Sequence, residues 1–264
     1  MVLSEPEKLK YPYLESIRSF LPLCDEIIAV CNILKDDGSI EKLKNLHSRV
    51  KVIYGLFDYQ RLGWASQGIM RTNGYYAATG DMVLMFDADG ILHEKDVEGA
   101  RDAIEQIYYS DKVYGFWMKY RFNQRERWVR QAKHSGIYNK SILGNNFNFY
   151  GGKANYRPMW ELIPEEQRRG QQTDIWLYGY ERCWDTREIF EVKLKDRRIM
   201  EASSHQVPPL KEYIDDFIQE RRDKAAKEGQ FMPIYLQPKI IQDKLNSIKE
   251  DQFGFNLYKE EKCI

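Results

Sequence analysis

At 264 residues the chain is long enough to bury a substantial core, as one α/β domain or as a domain with an appendage. Its 40 basic residues balance 40 acidic ones, and zero net charge argues against a general nucleic-acid binder, whose affinity comes largely from neutralising phosphates. Cys24, Cys31, Cys183 and Cys263 lack metal-ligand spacing and are too few for a disulfide scaffold, nothing resembles a signal peptide, and no apolar run approaches the roughly 20 residues that span a bilayer; a cytoplasmic protein with at most peripheral contact at the inner face of a membrane is expected.

In chain order, Met1 to Ser4 reads as a first strand that is either short or the tail of one starting upstream. Leu14, Ile17 and Leu21 recur at helical spacing, and Glu26 to Val30 follows as a buried strand. After Asn32, Ile33, Leu34 and Lys35 comes the acidic turn Asp36-Asp37-Gly38-Ser39, with Ser39 capping a predicted helix from Ile40 to Leu46. Val50 to Tyr54 is the next strand, followed by the aromatic loop Tyr59 to Trp64. A helix from about Ala65 to Ala78 carries Arg71, and Gly63 and Gly74 relieve crowding around it. The turn Thr79-Gly80-Asp81 then feeds a strand, Met82 to Phe86, that ends on Asp87-Ala88-Asp89-Gly90.

Glu94 to Tyr108 is predicted to be an amphipathic helix, with Val97, Ala100, Ile104 and Ile107 on its apolar face. Val113 to Phe122 reads as an aromatic-rich strand. The basic stretch Arg121, Arg125, Arg127, Arg130 and Lys133 is either a solvated face or a phosphate contact. Beyond Pro208-Pro209 the character changes to amphipathic helices, marked by Leu210, Ile214 and Phe217 and again by Ile241, Leu245 and Ile248. The expected organisation is a main domain over 1–205 and a helical extension over 206–264 packed on it.

The strand ending in Asp87 and Asp89 carries the sharpest chemical signal. Five apolar residues that deliver two carboxylates at alternate positions can build a site for a hard cation, Mg²⁺ or Mn²⁺, with positions left open for substrate phosphates. Such strand ends are where open α/β sheets bind ligands. The competing reading is a plain turn, since Asp-Gly forms turns readily.

The order and spacing of Glu26–Val30, Asp36–Ser39, Arg71, Ala78-Thr79-Gly80-Asp81 and Asp87-Ala88-Asp89 resemble the family 2 glycosyltransferases of the GT-A fold, over roughly the first hundred residues. The segment from Gln60 to Ala78 is most similar to the lipopolysaccharide-core β-glucosyltransferase branch. The resemblance implies an α/β fold with a mainly parallel sheet flanked by helices. It further implies a metal-assisted, inverting hexosyltransferase that moves a sugar from a nucleotide-diphosphate donor to a glycan or lipid-linked acceptor. Asp87 and Asp89 would then hold the metal, with Asp87 also facing the nucleotide-sugar. Asp36, Asp37 or Asn32 would meet the nucleotide base, and Arg71 would reach the diphosphate or pair with a carboxylate.

A family His-Glu pair falls at Trp160-Glu161, so Glu161 is the first candidate base for the acceptor hydroxyl and Asp174 the second. The chain departs from the family in its short start, in the inserted Ile33-Leu34-Lys35, and at Leu177, where relatives carry His. Neither His93 nor His205 is expected to replace that histidine. Two other readings stay open: a non-catalytic nucleotide-sugar-binding relative, and a nucleotidyltransferase, which would ordinarily carry a Gly-rich basic loop near its N-terminus.

Overall fold

Among the described residues, two sheets divide the strands between them. The computed structural model describes residues 1–122, 125–144, 147–149, 170–180, 183–185, 187–202 and 227–248, with 214, 216, 217, 219, 220 and 223 besides. The first sheet is parallel, in the order β1 (Val2–Leu3), β2 (Ile27–Asn32), β3 (Val50–Gly55). Every residue of β2 is buried, as a continuous apolar run in the middle of a covered parallel sheet should be. Helix α1 (Tyr13–Phe20) turns Tyr13, Ile17 and Phe20 into the core, and α2 (Ser39–Lys44) links β2 to β3. The short α3 (Tyr59–Leu62) leads into α4 (Trp64–Ala77). Gly74 of α4 lies so close to β2 that a Cβ there would come within 2.9 Å of Val30 Cγ2.

The second sheet is mixed. Its order is β4 (Met82–Leu84), β7 (Arg127–Asn139), β6 (Tyr114–Phe122), β8 (Gln171–Gly179), β5 (Gly90–Leu92), and β9 (Gln230–Phe231) joins β7 beyond the reach of β4. Here the expectation of a mainly parallel sheet needs correction. Only β6 and β8 run parallel, and the other pairings are antiparallel. For β6 and β7 the cause is connection length: only a few residues separate them, and a parallel return needs a crossover of a dozen or more. Helix α5 (Val97–Tyr108) packs on this sheet through Ala100 and Ile107.

Among the elements that sequence reading passed over are the basic strand β7, the short helix α6 (Lys140–Leu143) that follows it and helix α7 (Arg187–Ala202). Phe190 and Leu194 of α7 are fully buried, and Lys193 forms a buried ion pair with Asp185 at 2.6 Å. Near the C-terminus, α8 (Lys239–Asn246) puts Ile241 and Leu245 into an aromatic cluster with Phe122, Tyr178 and Tyr180. Among the described residues no helix is long and apolar enough to cross a membrane.

Candidate functional site

The loop after β4 is held from three sides. Phe86, just past the strand, stacks on Phe20 of α1 with ring centroids 3.9 Å apart. One turn earlier on α1, the buried Ser16 hydroxyl donates to the Gly90 carbonyl at 2.6 Å, with the Asp87 carbonyl at 3.2 Å. The Gly90 N–H closes back on the Asp87 carbonyl at 3.1 Å, and the Tyr180 N–H, just past β8, donates to the Asp89 carbonyl at 2.9 Å. Helix, strand end and neighbouring sheet together fix the backbone that carries both carboxylates. Preorganisation of this kind is what a charge-handling site requires.

Each carboxylate meets a cation supplied by the chain. Arg71, 4% exposed at its side chain, donates from Nη2 to Asp87 Oδ1 at 3.0 Å. Lys119, on β6, donates to both oxygens of Asp89, at 3.2 and 2.9 Å, and lies 3.8 Å from Asp87 Oδ2. Asp89 and Lys119 are both nearly buried, while about a third of Asp87 is open, at 32%. Burial pulls the Lys119 ammonium toward neutrality, but the charges of Asp89 and Asp87 outweigh it and hold its pKa above the ordinary lysine value. Gly179 makes room for the pair: a Cβ there would sit 2.2 Å from Lys119 Cε and 3.2 Å from Asp89 Oδ2.

This arrangement bears on the cation reading. Asp87, partly exposed, fits a hard cation that leans also on water and on substrate phosphate. Asp89 can join as a direct ligand only if Lys119 gives way, because both its oxygens face the ammonium. Among the described residues there is no cluster of three or more His, Cys, Asp or Glu side chains placed to hold a metal.

The remaining candidates are placed as follows. Asn32, at the end of β2, is buried; its amide donates to Ser4 and to the Phe57 carbonyl, and its oxygen accepts from the Leu34 N–H. Asp37 accepts from the backbone of Lys8 and Ser39, and Asp36, the most exposed of the three, accepts from Gly38. All three stabilise the turn after β2. Asp174 is exposed on β8, and Glu161 lies outside the described residues, as do Trp160 and His205. His93 caps the short helical turn before α5, with Nδ1 accepting from the Lys95 N–H at 3.2 Å. Leu177 is buried in β8 opposite Leu92.

Sequence reading missed Lys119. The available signal was a lone lysine inside Phe116-Trp117-Met118-Lys119-Tyr120, since a charge in an apolar run needs a partner. The partner, Asp89, is joined to it only through the order β6-β8-β5.

Comparison of the sequence with protein-family models and with curated proteins gave no match.

Proposed function

We propose that the chain is a glycosyltransferase of GT-A type that moves a sugar from a nucleoside-diphosphate donor to an acceptor hydroxyl, with inversion at the anomeric carbon. One observation carries the reading: at the end of β4, two carboxylates spaced one residue apart share a fixed loop with one guanidinium and one ammonium. Asp87, partly exposed on that loop, fits a divalent cation whose remaining positions take substrate phosphate.

In this reading Asp87 would hold Mn²⁺ or Mg²⁺, with Asp89 behind it. The metal, when bound, supplies Lewis acidity toward the departing diphosphate. Arg71 fixes the Asp87 carboxylate and offsets part of its charge. Lys119 pairs with the buried Asp89, and its ammonium, 3.8 Å from Asp87 Oδ2, would lie near the diphosphate. The acceptor oxygen attacks the anomeric carbon, the bond from that carbon to the diphosphate oxygen breaks, and the acceptor proton passes to a carboxylate, proposed at Glu161 and, failing that, Asp174. Asp36, Asp37 or Asn32 would meet the nucleotide base.

A second reading draws on the same observation. If Arg71 and Lys119 already satisfy the carboxylates, the chain binds a nucleotide-sugar without turning it over. The test is release of nucleoside diphosphate from a panel of UDP- and GDP-sugars with Mn²⁺, Mg²⁺ or EDTA, with Asp87→Ala alongside. We expect metal-dependent release from one donor, lowered about a hundredfold or more in the variant. Asp87→Ala is preferred to Asp89→Ala because Asp87 is the more exposed carboxylate and its removal leaves the buried Lys119–Asp89 pair in place. Donor binding without release, read by thermal shift, would favour the binder. Pyrophosphate as product would indicate a nucleotidyltransferase, and no donor binding under any condition would sink the proposal.

A further inference from the structure

Lys119 sits where a cation shared by the two carboxylates would sit. Its ammonium lies 3.2 and 2.9 Å from the Asp89 oxygens and 3.8 Å from Asp87 Oδ2, so it faces both acids at once. Arg71 takes the other oxygen of Asp87, Oδ1, at 3.0 Å. The oxygens that would grip a metal between Asp87 and Asp89 therefore surround a positive charge that belongs to the chain.

Two cations cannot hold one place. A metal ion ligated by Asp89 must meet oxygens that the ammonium already engages, so the lysine has to leave first, and a buried ammonium leaves its anion only at a cost. Lys119 is nonetheless built to shift. It is a compact charge on a flexible four-carbon stem, unlike the planar fork of Arg71. Its stem passes over Gly179, where a Cβ would come within 2.2 Å of Lys119 Cε. Any side chain at that position would press the ammonium off Asp89, so the bare backbone is what seats it.

We propose that Lys119 is a built-in competitor for the metal: the ammonium and a divalent cation are alternative partners of Asp89, and in the substrate-free chain the ammonium holds the place. The proposal rests on the transferase reading, in which Asp87 and Asp89 face a metal, and gives Lys119 a regulatory part in that site. The affinity of an oxygen site for a hard cation follows the number of charged ligands it can offer. With Lys119 seated, a cation finds Asp87, whose charge Arg71 already offsets. With Lys119 displaced, it finds both acids. The substrate-free chain therefore holds divalent metal weakly, and Lys119 sets how weakly.

The test is Mn²⁺ binding to the full chain, read by electron paramagnetic resonance of the free ion, with no nucleotide-sugar present. Lys119→Met should bind Mn²⁺ about tenfold or more tighter than the unaltered chain, because Asp89 becomes a ligand. Gly179→Ala keeps every charge and only moves the lysine, so it should tighten binding severalfold, and it decides the matter if Lys119→Met does not fold. Lys119→Met/Asp89→Asn should return the affinity to that of the unaltered chain. Unchanged affinity in both single variants would overturn the proposal, as would a gain that survives in the double variant or Mn²⁺ binding to none of the proteins. Because no donor is used, the result is separate from that of the release assay: the expected order of affinities with no nucleoside diphosphate released from any donor would uphold the competition and sink the transferase.

Discussion

The tip of β4 and the edge of β4 are built on opposite terms. At the tip, Asp87 meets Arg71, Asp89 meets Lys119, and the loop carbonyls are bonded by Ser16, Gly90 and Tyr180. Along the edge, a few residues earlier, the main-chain groups of Met82 and Leu84 point away from β7 toward a cleft lined by apolar and charged side chains together, Ile28 and Phe86 with Glu26 and Arg49 among them. A site that handles charge must have its dipoles and counter-charges in place before ligand arrives, which the tip achieves. A strand edge retains hydrogen-bonding capacity for whatever lies alongside, and that capacity is a template for another strand. The difference separates what this fold has already satisfied from what it still offers.

The comparison breaks most sharply at Lys119. Lys119→Met removes one partner of a buried pair and strands the Asp89 charge, so urea unfolding should show a loss of roughly 3–5 kcal/mol. The double variant Lys119→Met/Asp89→Asn should recover much of it. A single-variant loss below about 1 kcal/mol would mean that the tip is as wet and loose as a surface ion pair.

The edge is probed by pH in protein that starts at Met1. Burial first, and the nearby Arg71 guanidinium second, lower the Met1 ammonium from 8.0 to about 6. Between those values the unfolded chain binds the proton and the folded chain does not, so stability should rise as pH goes from 6 to 8. Two units correspond to something on the order of 2–3 kcal/mol. The N-acetylated chain should lack that increment, and identical pH profiles for the two forms would show that the amine is solvated.

The smallest of these effects belongs to Gly179. Gly179→Ala puts a methyl 2.2 Å from Lys119 Cε and pushes the lysine off Asp89, at a cost of about 1–3 kcal/mol by denaturant unfolding. A neutral result would show that Lys119 has another place to go.

Much of the first hundred residues was legible because its signals are local. The predicted helix from Ala65 to Ala78 is observed at Trp64–Ala77, and the strand from Val50 to Tyr54 at Val50–Gly55. Arg71 was offered either a diphosphate or a carboxylate, and the structure shows it on Asp87. What could not be read depends on which strands lie side by side. Alternation has the same period in parallel and antiparallel sheets, so it did not distinguish a mainly parallel sheet from the mixed one observed. Strand β7 was hidden by its own charges, Arg127, Arg130 and Lys133, which resemble a solvated face more than a sheet interior. Helix α7 likewise carries too many charges for its apolar stripe of Phe190 and Leu194 to stand out.

The hydrogen bond from Tyr180 to the Asp89 carbonyl has a consequence for how the molecule comes into being. On the ribosome, Asp87 and Asp89 emerge long before Lys119, and Lys119 before the strand that ends at Gly179 and closes the loop. Until then the acidic tip has neither its ammonium nor its backbone tether, and the aromatic strands that will cover it are exposed. Contacts so distant in sequence are made late and slowly. The carboxylate site should therefore be among the last parts of the chain to acquire native structure, and a nascent chain stalled before Gly179 should expose apolar surface for chaperones to bind.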